Sequence, residues 1–458
     1  MAMFEKVLVA NRGAVAGRVL RALDALGVRS VAVYSDADAD APYLAMAGET
    51  IRIGAAPPAE SYLNQEALLD ALRRCGADAL HPGYGFLSEN AVFAERVQAA
   101  GACFVGPSPH WIGAMGHKTR ARALAAENGL PVGAGSAVLG GDPDAVCRVA
   151  DELGYPLLVK PAAGGGGIGM LAARSRGELL VAVERAASMA RRGFGNGDVY
   201  LERLMERPRH IEFQLLGDRH GNVAHLFERD CSTQRRHQKI IEEAPAPNVD
   251  RPEVDALAAK VAAVMQRLGY DNIGTVEMLM GEDGAFSFLE MNTRLQVEHG
   301  VTEEVTGVDL VVAQLRVSAG ERLADVLPGR IESRGHAIQA RVYAEDPVRF
   351  FPSPGVLSTF CPPRDAWVRV ETGYREGQAV TPHYDPLLAK VIVHAPTRSE
   401  AIDRLDDALA AFAIEGVRHN IPALRGVLRH EVFRRGAVHT GLVAEMLATP
   451  TAAVARAA

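Results

Sequence analysis

No Cys-x-x-Cys pair, no long uninterrupted apolar run and no excess of basic residues occur in this chain of 458 residues. Its five cysteines (Cys75, Cys103, Cys147, Cys231 and Cys361) are odd in number and scattered. That spacing argues against a disulfide framework or a zinc ribbon and points to a reducing compartment, the cytoplasm. The first residues, Met1-Ala-Met-Phe-Glu-Lys, reach Glu5 before an apolar run can form, so no signal peptide is expected. The longest uncharged stretch, Val97 to His117, is broken by Pro107, Pro109 and several glycines, and no membrane span follows from it. Lys and Arg number 49 against 56 Asp and Glu, a net charge of −7. Such a mild acidic excess argues against a whole-protein nucleic-acid or membrane role and leaves only a local basic pocket for an anion. An apolar fraction of 48% and a charged fraction of 23% exclude a disordered or fibrous chain. The length corresponds to about three domains.

Strand and helix alternate in the first part. Lys6–Ala10, Val31–Tyr34, Ala79–His81 and Cys103–Val105 read as strands, and Val15–Leu26 has helical spacing. Strands interleaved with helices predict a doubly wound parallel sheet, with ligands beyond the carboxyl ends of its strands. A second unit begins near Gly129. It holds the strand Leu157–Lys160, the glycine run Gly164–Gly169, a helix around Glu178–Arg191 and the strand Val199–Glu202. From His210 the strands lengthen, and His210–Leu215 alternates polar and apolar with period two. Later, His336–Tyr343 reads as a strand and Ser399–Phe412 as a helix. The expected divisions are 1–115, 116–204, 205–330 and 331–447, with a frayed tail over 448–458.

Four segments carry candidate chemistry. Ala10-Asn-Arg-Gly-Ala-Val-Ala-Gly17 follows a strand and opens a helix, as a dinucleotide loop would, with Asp36 as the ribose acid. The full Gly-x-Gly-x-x-Gly is absent, so a tight turn is the plainer reading and an NAD-dependent oxidoreductase the runner-up. Lys160-Pro-Ala-Ala-Gly-Gly-Gly-Gly-Ile-Gly-Met170 follows an apolar strand. Glycines let backbone N–H groups turn toward an oxyanion, and Lys160 adds a point charge, though a flexible hinge would look the same. In Thr275–Asn292, Asp283-Gly284 signals a hairpin. If those two residues are the whole loop, Glu277 lies opposite Glu290 with Cβ atoms about 5 Å apart. Carboxylates so placed invite a cation such as Mg²⁺. Glu290, Asn292, Arg294, Gln296 and Glu298 continue on one parity, with Met291, Leu295 and Val297 on the other. A metal, phosphate and small-acid site accounts for that face better than a solvated edge. Arg229-Asp-Cys-Ser-Thr-Gln-Arg-Arg-His-Gln-Lys239 is basic, and reads as an anion pocket rather than a nucleic-acid footprint.

Together the segments ANRG, HPGYGFLSEN (His81–Asn90), KPAAGGGGIGM, ERDCSTQRRHQK and EMNTRLQVEH resemble the biotin carboxylase subunit of biotin-dependent carboxylases, from about Lys6 to beyond Thr440. The resemblance implies an α/β ATP-grasp fold: an N-terminal doubly wound domain, a small lid, and a C-terminal mixed-sheet part holding the metals. It implies ATP-dependent carboxylation of biotin by bicarbonate. By resemblance, Lys118, Lys160 and His210 contact ATP phosphates under a lid that includes Gly165, Gly166 and Gly167. Glu202, Arg203 and Leu204 lie at the adenine hinge, with Gln234, His237 and Leu279 also at the nucleotide. Glu277, Glu290 and Asn292 are the implied Mg²⁺ (or Mn²⁺) ligands. Lys239, Arg294, Gln296 and Val297 surround bicarbonate, Glu298 is its base, and Arg341 stabilises the biotin enolate. His117, Ile168, Ala14 and Gly300 depart from the usual pattern beside these positions. No Ala-Met-Lys-Met biotinylation motif occurs. The expected partners are therefore a biotin carboxyl carrier protein and a carboxyltransferase subunit, around a homodimer. Another ATP-grasp carboxylate ligase is the neighbouring alternative.

Overall fold

The computed structural model describes residues 3–162, 169–327 and 329–448. Strands β1 (Lys6–Val9), β2 (Arg29–Ser35), β3 (Glu49–Gly54), β4 (Ala79–His81) and β5 (Cys103–Phe104) form one sheet in the order β3-β2-β1-β4-β5. Every pairing in it is parallel. Both faces are covered, which is why β1 reads as an unbroken apolar run. Val7 and Val9 pack with Val15, Val19 and Leu23 of the helix Gly13–Ala25, while Leu8 packs on the opposite side with Leu68 and Leu72.

A small antiparallel sheet follows, in the order β7-β6-β8, from β6 (Leu157–Pro161), β7 (Leu171–Ala173) and β8 (Val199–Arg203). The helices Pro143–Leu153 and Arg176–Phe194 close its apolar face through Val146, Ala150, Leu179 and Ala186. The glycine run, with Gly165, Gly166, Gly167 and Ile168, lies outside the described residues, as does the expected tail from residue 449 onward.

The third layer is one eight-stranded sheet. It contains β9 (Arg209–Gly217), β10 (Val223–Arg235), β11 (Gln238–Ala244), β12 (Ile273–Met280), β13 (Phe286–Asn292) and β14 (His336–Tyr343). Short strands β15 (Gly355–Val356), β16 (Thr359–Cys361), β17 (Val368–Thr372) and β18 (Ala379–Val380) precede β19 (Leu387–Ala395), and β20 (Ala413–Glu415) ends the series. The order is β13-β12-β9-β10-β11-β14-β19-β17. Its described pairings are all antiparallel, so the expected mixed sheet is not what forms here. Pairing of β11 with β14 carries this sheet across residue 330. The helix Arg398–Ala411 packs on β19 and β14 through Ile402, Leu405 and Leu409.

The hairpin of β12 and β13 corrects one premise and keeps its conclusion. Glu277 does pair with Glu290, but Met280 pairs with Phe286, so the turn is longer than Asp283-Gly284. A bulge between Glu277 and Met278 in the register makes up the difference at Leu289. The bulge lets Phe288 face the core while Glu290, two residues on, faces the other side.

Candidate active site

A cleft of about 1110 Å³ opens between the three layers. The Asn11–Val15 turn and Tyr84–Phe86 close one side, β6 and β8 another, and β9 to β14 form the floor. Lys118, Lys160, Glu202, Arg203, Leu204, His210, Gln234, His237, Lys239, Glu277, Leu279, Glu290, Asn292, Arg294, Gln296, Val297, Glu298 and Arg341 all line it. Every site residue that the family resemblance implies within the described chain is therefore in one place. Asp36 is not: it is half exposed and bonded to Arg52 at the surface, so the dinucleotide reading has no ribose acid in the cleft.

The floor is held by alternating charges. The Lys239 ammonium donates to Glu212 at 2.5 Å and to Glu277 and Glu298 at 2.7 Å each. The other oxygen of Glu298 accepts from Arg341 at 3.0 Å, and Arg341 donates to Glu242 at 2.5 Å. Glu212, Glu242 and Glu298 are completely buried. Burial alone would raise the Glu298 carboxyl, but Lys239, Arg341 and Arg229 outweigh it and hold the group far below the usual carboxylate range. Glu277 is held well below that range too, with Lys239 and His210 overcoming burial. For Glu242 burial prevails, and with Glu298 close by its carboxyl is raised despite Arg341.

At the nucleotide end Lys118 bonds Glu290 at 2.9 Å, and Lys160 bonds Glu202 at 2.8 Å. Burial opposes the charge on both lysines. Glu290 lifts Lys118 above its ordinary value, whereas Lys160, beside Lys118, is lowered. Glu202 also accepts from Tyr200 at 2.9 Å and pairs with Arg122 at 2.9 Å. The Arg203 guanidinium donates to the Leu153 carbonyl. Gln234 and His210 are in contact at 3.0 Å. Between β10 and β11 the chain turns on Arg236 and His237, both in the left-handed region at φ 49° and 66°. That tight turn sets both against the cleft. Burial beside Lys160 lowers the His237 imidazole, which favours the neutral ring.

Beyond Asn292 the strand ends, so the expected continuous strand face to Glu298 does not exist. The polar groups converge instead through an irregular segment: Arg294 donates to Asn292 at 2.7 Å, to Gln296 at 2.9 Å and to Glu89 at 2.8 Å. Val297, on the other parity, also reaches the cleft. Arg229 departs from its expected role in an anion pocket. It is wholly buried, and bonds Glu212 at 2.6 Å, Gln214 at 2.8 Å and Thr302 at 2.9 Å.

Glu277, Glu290 and Asn292 present oxygen donors from paired strands, the donor set that Mg²⁺ or Mn²⁺ prefers. Asn292 Nδ2 is buried without a partner. Each carboxylate is neutralised here by an ammonium, so a cation is chemically suited to the position. His210, Glu212 and Glu277 bring donor atoms within 4.8 Å of one another; Glu290 stands outside that group, held by Lys118. The residues fit the ion. Sequence reasoning did not single out Glu212 or Glu242. Glu212 shares the parity of His210 and Gln214 in β9, a signal that was legible, whereas Glu242 carried none.

Residues 3–112 match the family described as biotin carboxylase, N-terminal domain, and residues 339–445 the biotin carboxylase C-terminal domain. Residues 117–326 match the ATP binding domain of the carbamoyl-phosphate synthase L chain. The chain is 48% identical over 452 residues to the biotin carboxylase of Halalkalibacterium halodurans, covering 98% of this chain and 99% of that protein. It is also 48% identical over 448 residues to biotin carboxylase 2 of Bacillus subtilis, covering 97% of this chain and 100% of that protein. Among solved structures, the biotin carboxylase domain dimer of the Hydrogenobacter thermophilus 2-oxoglutarate carboxylase, in complex with MgADP, ADP and bicarbonate, superposes with a TM-score of 0.94 at 42% identity. That match covers 98% of this chain and 100% of that one. The chain belongs to the biotin carboxylase family of ATP-grasp enzymes, whose reaction is the ATP-dependent carboxylation of biotin by bicarbonate.

Proposed function

We propose that this chain carboxylates a ureido nitrogen of biotin on a separate carrier protein, and that its product goes to a carboxyltransferase subunit. The observation that carries the division of labour is the Lys239–Glu298–Arg341 relay, in which one buried carboxylate joins two cations that face the same cleft. Lys239, Arg294, Gln296 and Val297 receive bicarbonate. Glu298 accepts its proton as the bicarbonate oxygen attacks the γ-phosphorus of ATP, forming carboxyphosphate and releasing ADP. Lys118 and Lys160 offset the charge spreading over the phosphoryl oxygens, with His210 beside them. Glu202, Arg203, Leu204, Gln234, His237 and Leu279 receive the nucleotide. Glu277, Glu290 and Asn292 would hold Mg²⁺ or Mn²⁺, which would supply positive charge to the phosphate oxygens of ATP. Carboxyphosphate divides into CO₂ and phosphate, and the phosphate takes the ureido proton. Arg341 then offsets the charge on the ureido oxygen while nitrogen attacks CO₂.

The divisions 1–115, 116–204, 205–330 and 331–447 serve this reading as the N-terminal doubly wound domain, the lid, the metal and catalytic part and the C-terminal part of the family. A homodimer in the cytoplasm suits it as well. No helix among the described residues is long and apolar enough to cross a membrane.

The test is an assay pair on two variants: phosphate release, and fixation of labelled bicarbonate onto biotin. Glu298→Gln is expected to abolish both. Arg341→Gln suppresses fixation by about a hundredfold, a barrier near 3 kcal/mol, and bicarbonate-dependent ATP cleavage much less. Equal losses of both activities in both variants would overturn the separate roles.

A further inference from the structure

Lys390 belongs to no part of the cleft wall, yet it is completely buried. Burying an ammonium is unfavourable unless it is paired and hydrogen-bonded. Its partners are specific. Glu371, 1% exposed, accepts from it at 2.5 Å, and the backbone carbonyl of Val297 accepts at 2.9 Å.

The sheet register explains this geometry. On β14, β19 and β17, Arg341 pairs directly with Lys390, and Lys390 with Glu371. Directly paired residues point to one face, so two cations stand side by side in this row, an arrangement that repels unless each has its own counter-charge. Glu242 serves Arg341 and Glu371 serves Lys390. Both cations then reach the same corner of the chain at consecutive residues. Arg341 takes the carboxylate of Glu298, and Lys390 takes the carbonyl before it.

We propose that Lys390 is a positioning residue for the proton-accepting carboxylate: by fixing the Val297–Glu298 peptide it sets Glu298 between Lys239 and Arg341. The corner has no strand ladder to hold it, because β13 ends at Asn292 and the next helix begins at His299. Arg369, Arg18, Glu303 and His299 surround the Lys390–Glu371 pair from the helices Gly13–Ala25 and His299–Thr306 and from β17. None of them bonds the Val297 carbonyl. That task falls to Lys390 alone among the described residues.

The inference rests on the proposed reaction, and bicarbonate-dependent ATP cleavage by the unaltered protein tests that reaction separately. Two variants test the positioning role, Lys390→Met and the pair Lys390→Met with Glu371→Gln, which removes both buried partners together. Arg369 and Arg18, which also face Glu371, keep Glu303, Glu304 and Asp309. ATP and bicarbonate are titrated separately, and melting is followed alongside. The double variant is expected to fold with its KM for bicarbonate raised on the order of tenfold and turnover lowered, because a small misplacement of the base is costly. Its KM for ATP stays within about twofold, and Lys390→Arg regains part of the loss. A folded double variant with the parent's bicarbonate KM and turnover, or with both KM values raised equally, would overturn the proposal.

Discussion

With Lys239 on one oxygen and Arg341 on the other, the Glu298 carboxylate is held ionised and weakly basic. Glu345, just past the end of β14, shows the opposite balance. One of its oxygens meets Arg235 at 2.7 Å, while Oε1 is buried without a partner. Burial, with Asp385 nearby, pushes its carboxyl from an ordinary 4.5 up to about 7 against the pull of Arg235. A raised folded value means that the folded state holds the proton more tightly than the unfolded chain. The resulting stabilisation is fully present below pH 4.5 and is lost as pH rises through about 7. Glu345→Gln is therefore expected to flatten the decline in urea midpoint between pH 5 and pH 7, and an unchanged slope would assign it to another group. Residues of this kind show how far the sequence could be read. Glu277, Glu290 and Glu298 were visible because they sit in alternating strands or familiar words. Glu242, which holds Arg341, lies in Lys239-Ile-Ile-Glu-Glu-Ala and only the neighbouring strand gives it a task.

At the scale of elements, parity mattered more than turn length. Reading Asp283-Gly284 as a two-residue turn gave the right pairing of Glu277 with Glu290, but along such a ladder Phe286 and Phe288 would share the face of Glu290. The bulge at Leu289 reconciles them. Phe288 packs with Phe213 and Met278, and Glu290 reaches the cleft. Deleting Leu289 straightens the ladder while leaving Phe288, Glu290 and Asn292 on their present faces. We expect that variant to fold and to keep the Mg²⁺ dependence of ATP cleavage. Glu290→Gln instead raises the Mg²⁺ requirement and lowers turnover sharply with the fold intact. A Leu289 deletion that lost its Mg²⁺ response in a Mg²⁺ titration would show that the bulge itself shapes the metal site. The loop register lay beyond the sequence, as did the end of β13 at Asn292, since bulges and strand ends are fixed by what each face must bury.

Across the whole molecule the cleft depends on how the parallel sheet docks on the large antiparallel one. Arg18 crosses from the helix Gly13–Ala25 to Glu303 at 2.8 Å and to Asp309 at 2.5 Å, and Arg12 bonds Asp38 while stacking on Tyr384 at 4.3 Å. The closest approach is backbone to backbone. A Cβ added at Gly373, just past β17, would lie 2.2 Å from Gly13 Cα and 2.8 Å from Ala14 N. Neither atom can move without displacing the start of the helix Gly13–Ala25, and the Asn11–Val15 turn is part of the cleft wall, as is Arg341. Gly373→Ala is expected to part the two layers at this seam, destabilising the protein by about 1–3 kcal/mol through overpacking. Because the nucleotide end is built from β6, β8 and β12, its affinity for ATP changes little, while the KM for free biotin rises several-fold. Thermal melting together with separate biotin and ATP titrations measures both effects. A Gly373→Ala protein with unaltered melting and unaltered biotin KM would mean that the seam is loose enough to absorb a methyl group, and that the turn at Asn11–Val15 is held by Arg12 and Asn11 rather than by this contact.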